Sequence, residues 1–175
     1  MAASVGLVGG SIEDATGDSR KPLFERSQAV ERVASAAAAA HGLPFVLTAR
    51  CGLFLYGRPD LDETIARLQA FEAVGADVLY APGLPTLDAI RSVCSAVSKP
   101  VNVVMGLSGS RFSVDELAEA GVKRISVGGS FARAAMGGFL RAAQEVREYG
   151  TFTYAAAAVP DRDANAYMVE GSRGA

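Results

Sequence analysis

Apolar and polar residues alternate in blocks along this chain, and the blocks have two distinct lengths. Short runs with apolar residues on both faces are typical of buried strands. Longer segments between and after them have the apolar spacing of helices. The predicted strands are residues 6–12, 44–49, 77–81, 100–105 and 124–127, and the predicted helices are residues 23–41, 61–74, 86–97, 114–120 and 131–149. This order of elements predicts a parallel sheet covered by helices.

A polar or glycine-rich step follows each predicted strand. An open doubly wound sheet uses chiefly one crevice, whereas a barrel gathers all of its strand ends around one mouth. The recurrence of these steps therefore favours an α/β fold of the TIM-type β/α barrel, with about five of the eight βα units that a barrel requires. We expect residues 1–150 to form a partial barrel domain and residues 151–175 to form a C-terminal tail.

Composition narrows the range of partners. Half of the 175 residues are hydrophobic and the formal net charge is −2, so the chain has material for one core and no excess of basic residues. Neither nucleic acid nor an anionic membrane is an expected partner. Cys51 and Cys94 are too few for a disulfide framework and lack metal-ligand spacing, which indicates a reducing cytoplasm.

Two adjacent carboxylates, Glu13 and Asp14, stand where the first predicted strand ends. Neighbouring residues of a strand point to opposite faces, so only one of them can face a shared pocket. We take Glu13 as the functional candidate. For Asp14, and likewise for Asp18, capping of the following helix is the favoured interpretation.

Five segments of the chain form a recognisable set. They are residues 11–18 (SIEDATGD), 44–50 (PFVLTAR), 75–83 (GADVLYAPG), 100–104 (PVNVV) and 121–128 (GVKRISVG). Together they resemble the isocitrate lyase/phosphoenolpyruvate mutase superfamily, in particular its phosphonomutase-like members of the carboxyvinyl-carboxyphosphonate phosphorylmutase type. The resemblance implies a cytoplasmic β/α barrel, a Mg²⁺ cofactor, and chemistry on short 2-oxo acids or phosphonates through an enolate. It also implies a homo-oligomer that exchanges its C-terminal helix between subunits.

The same resemblance implies roles for individual residues. Glu13 matches the family's glutamate at the metal, and Arg50 matches an arginine that neutralises charge on the enolate and binds substrate. A structural salt bridge from Arg50 to Glu13 or Asp14 is the alternative, and the two roles are compatible. Asn102 and Gly83 are further candidates for substrate binding, although a structural hydrogen bond suits Asn102 equally well.

Two other positions argue against roles that the family includes. Cys51 has no histidine placed to activate it, so we expect a small buried residue rather than a nucleophile. The mutase-type members place a histidine near the end of the strand where this chain has Ala81.

The resemblance also predicts what this chain lacks. Family members carry about three strands upstream of the Glu-Asp strand, with an acidic motif for the metal and groups that grip the substrate carboxylate. The sequence therefore supports two hypotheses. One is a Mg²⁺-dependent lyase or mutase-like enzyme that makes or breaks a C–C or P–C bond. The other is a truncated, inactive barrel fragment that acts only as an oligomerising or small-molecule-binding module.

Overall fold

The sheet is parallel and follows the order of the chain. The structure, a computed structural model, describes residues 2–107, 109 and 111–171. Within those residues five strands pair in the order β1-β2-β3-β4-β5, each parallel to the next. They are β1 (Gly9–Glu13), β2 (Val46–Arg50), β3 (Val78–Tyr80), β4 (Val101–Val104) and β5 (Arg124–Ser126). All five predicted strands are confirmed, with ends that shift by at most three residues.

Six α-helices connect and follow the strands in the described part of the chain. They are α1 (Arg26–Ala40), α2 (Leu61–Ala73), α3 (Leu87–Ala96), α4 (Val114–Glu119), α5 (Ser130–Tyr149) and α6 (Asp161–Gly171). Side-chain caps fix several starts: Asp60, Thr86 and Ser113 each accept a hydrogen bond from the backbone N–H three residues on. Among the described helices, none has the length and apolarity to span a bilayer.

The hydrophobic core lies on the face of the sheet that α1 to α4 cover. Ala49 of β2 is in register with Leu79 of β3, and both side chains are fully buried. They belong to one buried cluster with helix residues such as Phe71 and Ile90. Burial of large apolar side chains of this kind contributes about 1.5–3 kcal/mol each. The apolar runs that predicted the strands therefore contribute to a single core.

The chain forms two compact units, residues 1–128 and residues 129–175. The first contains the sheet and α1 to α4, and the second contains α5, α6 and a short 3-10 helix, Thr153–Ala157. The boundary expected at residue 150 falls inside the second unit. Helix α6 was not predicted. At its start, the backbone carbonyl of Pro160 accepts hydrogen bonds from the N–H groups of Asp163 and Ala164. Acidic residues in its first turn also favour a helix.

Asp14 joins three elements of the first unit. Its Oδ2 lies 3.0 Å from Nη1 of Arg67 on α2, and its Oδ1 accepts a 2.7 Å hydrogen bond from the N–H of Gly52, just after β2. Arg67 also donates to the carbonyl of Phe24 and to Glu63. Both side chains of the Asp14–Arg67 pair are almost completely buried.

The expected capping role of Asp14 is therefore wrong, because α1 begins at Arg26 and Asp14 is engaged elsewhere. Asp18 does not cap α1 either, since its carboxylate accepts from the backbone and side chain of Arg20 in a local turn.

Replacement of Asp14 by alanine is expected to destabilise the chain by about 3–5 kcal/mol, because it leaves the buried Arg67 guanidinium without its counter-charge. Urea unfolding followed by circular dichroism measures the loss. Asp88→Ala is the matched control, since it breaks an exposed pair with Arg91 and should cost less than about 1 kcal/mol. Equal destabilisation by the two variants would contradict the role of Asp14.

Candidate functional site

Register places one polar or charged side chain from each strand in a single row across the sheet. Residues paired in register on parallel strands share a face, and that face is opposite to the one occupied by their chain neighbours. The row lies on the face opposite Ala49 and Leu79. It consists of Glu13, Arg50, Tyr80, Asn102 and Arg124. We call these residues the polar row.

Glu13 and Arg50 form an ion pair within the polar row. Glu13 Oε2 lies 3.0 Å from Arg50 Nη1, and the side chains are 42% and 27% exposed. The structural alternative given for Arg50 is thus present. Arg50 also lies over the ring of Tyr80, with its Cζ 5.9 Å from the ring centroid. Its Nε is buried and has no hydrogen-bond partner among the described residues, so one donor of Arg50 is unpaired there.

A cavity of about 550 Å³ lies at the carboxyl ends of β2, β3 and β4. Arg50, Tyr80 and Gly83 line it, together with the mainly apolar residues Leu55, Ala81, Pro82, Leu84, Val104 and Met105. Carboxyl strand ends are the usual place for ligands in parallel α/β folds. The cavity size suits a small ligand.

Gly83 is required by the turn that shapes this cavity. Its φ is +91°, and a Cβ at this position would lie 3.1 Å from the Cβ of Phe54. A larger residue would therefore be strained and would press against the 3-10 helix Leu53–Tyr56. Gly83 lines the cavity through its backbone, and contact with substrate remains a prediction.

Asn102 is 1% exposed, and only one of the two polar atoms of its side chain has a hydrogen-bond partner among the described residues. Its Nδ2 donates a 3.0 Å hydrogen bond to Oγ of Ser126, whereas its Oδ1 has no partner among the described residues. The structural hydrogen bond that we considered is thus present, and it uses only half of the amide. An unpaired buried acceptor costs about 1–3 kcal/mol, which makes Asn102 a place where a bound group would be favourable.

Tyr80, Arg124 and Ser126 were not identified from the sequence. Burial raises the pKa of Tyr80, against the opposing effect of Arg50 and Arg124, so its hydroxyl keeps its proton at neutral pH and can donate a hydrogen bond. The signal that could have found all three is the placement of a polar residue inside or at the end of an apolar strand. That signal becomes useful only once the strands are aligned.

The described residues do not by themselves fit Mg²⁺. They contain no group of three or more His, Cys, Asp or Glu side chains that could hold a metal. Of the two adjacent carboxylates where β1 ends, Asp14 is turned towards Arg67 and Glu13 is paired with Arg50. Mg²⁺ prefers six oxygen ligands in near-octahedral geometry, so a single carboxylate is a weak site.

Cys51 is a buried residue, as expected. It is 1% exposed, and burial raises the pKa of its thiol to about 12. A nucleophilic cysteine needs a thiolate near neutral pH, so Cys51 is unsuited to that role.

Comparisons with known proteins agree on a family. The family model described as phosphoenolpyruvate phosphomutase matches residues 1–147. A crystal structure from Burkholderia cenocepacia J2315, of a protein to which lyase/mutase activity is attributed, is 60% identical over 95% of this chain and 61% of its own, with a TM-score of 0.91. A second protein from that organism, to which phosphonomutase activity is attributed, is 33% identical over 82% of this chain and 60% of its own (TM-score 0.73).

A more distant match shows the fold alone. Phosphonopyruvate hydrolase, crystallised with oxalate and Mg²⁺, is 23% identical over 98% of this chain and 62% of its own (TM-score 0.77). No match was found among curated proteins. The chain thus spans about 60% of the length of the relatives it matches, and its five-stranded sheet corresponds to an incomplete barrel, as predicted.

Native Cys51 should be unreactive towards a thiol reagent at pH 8, because a thiol whose pKa is about 12 carries almost no thiolate at that pH. Peptide mass spectrometry after brief iodoacetamide treatment distinguishes the two cysteines. Cys94 is half-buried, and burial raises the pKa of its thiol as well, so it should react slowly. Both cysteines should react fully in urea. Rapid native labelling of Cys51 would show that our assignment of its burial is wrong.

Proposed function

The chain belongs to the phosphoenolpyruvate phosphomutase family of the isocitrate lyase superfamily, and from that membership we propose the activity of its site. It is a lyase or mutase-like enzyme that makes or breaks a C–C or P–C bond of a short 2-oxo acid or phosphonate. The reaction passes through an enolate of the 2-oxo acid.

Arg50 is the observation that carries this proposal. It lines the cavity and keeps a buried Nε–H that has no partner among the described residues. When the bond from the α-carbon to the departing carbon or phosphorus breaks, its electron pair forms a double bond to the carbonyl carbon, and the carbonyl π pair moves onto the oxygen to give the enolate. The departing group leaves without that pair, as a carbonyl compound or by transfer to an acceptor oxygen. A guanidinium fixed beside the enolate oxygen stabilises the developing charge, and one such donor is commonly worth about 3–4 kcal/mol.

Glu13 fixes the orientation of Arg50 through the 3.0 Å ion pair. Because Glu13 occupies Nη1, the remaining donors of Arg50 are the ones that can bind a substrate oxyanion. Gly83 and Asn102 are proposed to bind substrate as well. Gly83 lines the cavity after β3, and Asn102, inside β4, offers an unpaired amide oxygen. The apolar remainder of the cavity lining limits water around the charge.

We propose Mg²⁺ as the cofactor because of the resemblance and because phosphonopyruvate hydrolase, a structural neighbour, was crystallised with Mg²⁺. When bound, the ion would add further positive charge at the enolate. In this chain Glu13 can supply one ligand, and the others have to come from outside the described residues. Among the described residues that line the cavity, Arg50 is therefore the group proposed to stabilise the enolate. The two free cysteines fit a reducing compartment, and we place the enzyme in the cytoplasm.

Self-association is proposed through α5, in keeping with the exchange of a C-terminal helix that the resemblance implies. None of the residues of α5 is buried, and four large apolar side chains on it are 57% to 73% exposed: Phe131, Met136, Phe139 and Leu140. Such a stripe is unusual on the surface of a monomer. A second copy of the chain presents the same stripe, so two copies can cover each other.

Calorimetric titration with oxalate, an enolate mimic, tests the proposed site. We expect saturable binding by the wild-type chain and about tenfold to hundredfold weaker binding by Arg50→Gln, because charge-assisted hydrogen bonds are lost. Repeating the titration with Mg²⁺ shows whether the ion contributes. Glu13→Gln should remove any Mg²⁺-dependent part of the binding.

His41→Ala is the control, because His41 follows α1 at the opposite ends of the strands from the cavity. Oxalate binding that is unchanged in Arg50→Gln would refute the assignment of Arg50. A folded wild-type chain that takes up no oxalate, with or without Mg²⁺, would favour the inactive barrel fragment instead.

Light scattering coupled to size exclusion should find the wild-type chain as a dimer or larger oligomer. Met136→Ser/Phe139→Ser should shift it towards the monomer, because both substitutions interrupt the apolar stripe of α5. Val114→Ser, which removes an exposed apolar side chain from α4, should leave the mass unchanged. A monomeric wild-type chain at all concentrations would contradict self-association.

A further inference from the structure

The described residues that line the cavity at the carboxyl ends of β2, β3 and β4 contribute one hydroxyl group. It belongs to Tyr80, the last residue of β3. Apart from Arg50, the other described lining residues are glycines or have aliphatic or thioether side chains, as Leu55 and Met105 do. A guanidinium does not give up its proton in a protein. A proton that this lining transfers to a bound molecule therefore comes from Tyr80.

Tyr80 lies beside Arg50. The two residues are paired in register on neighbouring parallel strands, so their side chains share a face and their backbones are about 4.8 Å apart. The Cζ of Arg50 lies 5.9 Å from the centroid of the Tyr80 ring. A small ligand that accepts a hydrogen bond from Arg50 in the cavity therefore lies next to the side chain of Tyr80.

The ionisable neighbours of Arg50 in the chain and in the polar row are unsuited to the same task. Glu13 forms the ion pair with Arg50, and an ion pair requires the carboxylate without its proton. Cys51 follows Arg50 directly, but it is 1% exposed and is not among the described residues that line the cavity.

The environment of Tyr80 suits proton transfer to carbon. Tyr80 is partly buried, and burial raises the pKa of its phenol against the opposing positive charge of Arg50, so the phenol holds its proton at neutral pH. An enolate carbon is much more basic than a phenolate, so transfer of the proton is downhill. The phenolate that results lies beside the guanidinium of Arg50, whose charge stabilises it.

We propose that Tyr80 is the acid that protonates the enolate carbon and so completes the 2-oxo acid product. This inference rests on the proposed function, because it takes the enolate to be bound at Arg50. The O–H bond of Tyr80 breaks and its electron pair stays on the phenol oxygen. The pair of the enolate C=C bond forms the new C–H bond, and a pair on the enolate oxygen restores the carbonyl. Tyr80 then regains a proton from water, which its partial exposure allows.

Proton delivery to carbon separates an enzyme that releases a 2-oxo acid from a mutase. In a mutase the departing group recombines with the enolate, and no proton is taken up. A lyase has to protonate the enolate before its product leaves. The position of Tyr80 therefore favours a lyase over a mutase for this chain.

Enolpyruvate tests the proton transfer separately from bond cleavage, because it is the enol of the simplest such enolate. A phosphatase releases it from phosphoenolpyruvate, and its conversion to pyruvate is followed by ultraviolet absorbance. The wild-type chain should accelerate this conversion above the uncatalysed rate. Tyr80→Phe should reduce the acceleration by about a hundredfold or to the background, as expected for loss of a general acid. Oxalate binding should be unchanged in this variant, because phenylalanine keeps the ring beside Arg50.

Tyr56→Phe is the matched control. It removes one phenolic hydroxyl from the 3-10 helix Leu53–Tyr56, and Tyr56 is not among the described residues that line the cavity. Its rate should equal that of the wild-type chain. Arg50→Gln should lose both oxalate binding and the acceleration, because the enolate is no longer held.

The outcomes separate this inference from the proposed function. If the wild-type chain binds oxalate but does not accelerate the conversion, or if Tyr80→Phe keeps the acceleration, the role of Tyr80 is refuted and the proposed function stands. Loss of oxalate binding together with the acceleration in Tyr80→Phe would show a structural role and also refute it. If the acceleration depends on Tyr80 but persists in Arg50→Gln, the acid stands and the enolate site at Arg50 is refuted. A folded wild-type chain that neither binds oxalate nor accelerates the conversion refutes both.

Discussion

Glu13 and Asp14 are neighbours in the chain, but their side chains serve opposite faces of the sheet. The alternation of a β-strand imposes this separation. Asp14 turns to the helical side and meets Arg67 and the N–H of Gly52, whereas Glu13 joins the polar row and meets Arg50. The position where β1 ends therefore fixes both the packing of α2 and the orientation of the arginine at the cavity.

The two ion pairs differ in what surrounds them. The Asp14–Arg67 pair is almost fully buried, and further hydrogen bonds from Gly52 and to Phe24 help to offset the cost of removing its charges from water. The Glu13–Arg50 pair is partly exposed and leaves an unpaired donor on Arg50. The first pair has its hydrogen-bonding capacity committed to the fold, and the second retains capacity for a ligand.

The sequence was sufficient for the features that depend on local pattern. The five strands, the burial of Cys51 and the candidacy of Glu13 and Arg50 all follow from residues that are close together in the chain or from the resemblance. Asp14 was misjudged because capping is a local rule, while its true partner, Arg67, is 53 residues away. Tyr80 and Arg124 were missed for the same reason, since only the register of three strand pairs brings them into one row with Arg50.

The two faces of the sheet differ in how strongly their residues contribute to folding, and this difference affects how the sequence can change over evolutionary time. Arg124 and Tyr80 lie outside the buried core cluster, so substitutions there can change the charge and polarity of the polar row with little loss of folding free energy. Asp14 and Arg67 lack that freedom. A lineage that keeps this buried pair can therefore vary Tyr80 and Arg124 by single steps, and each intermediate remains folded enough to be tested by selection.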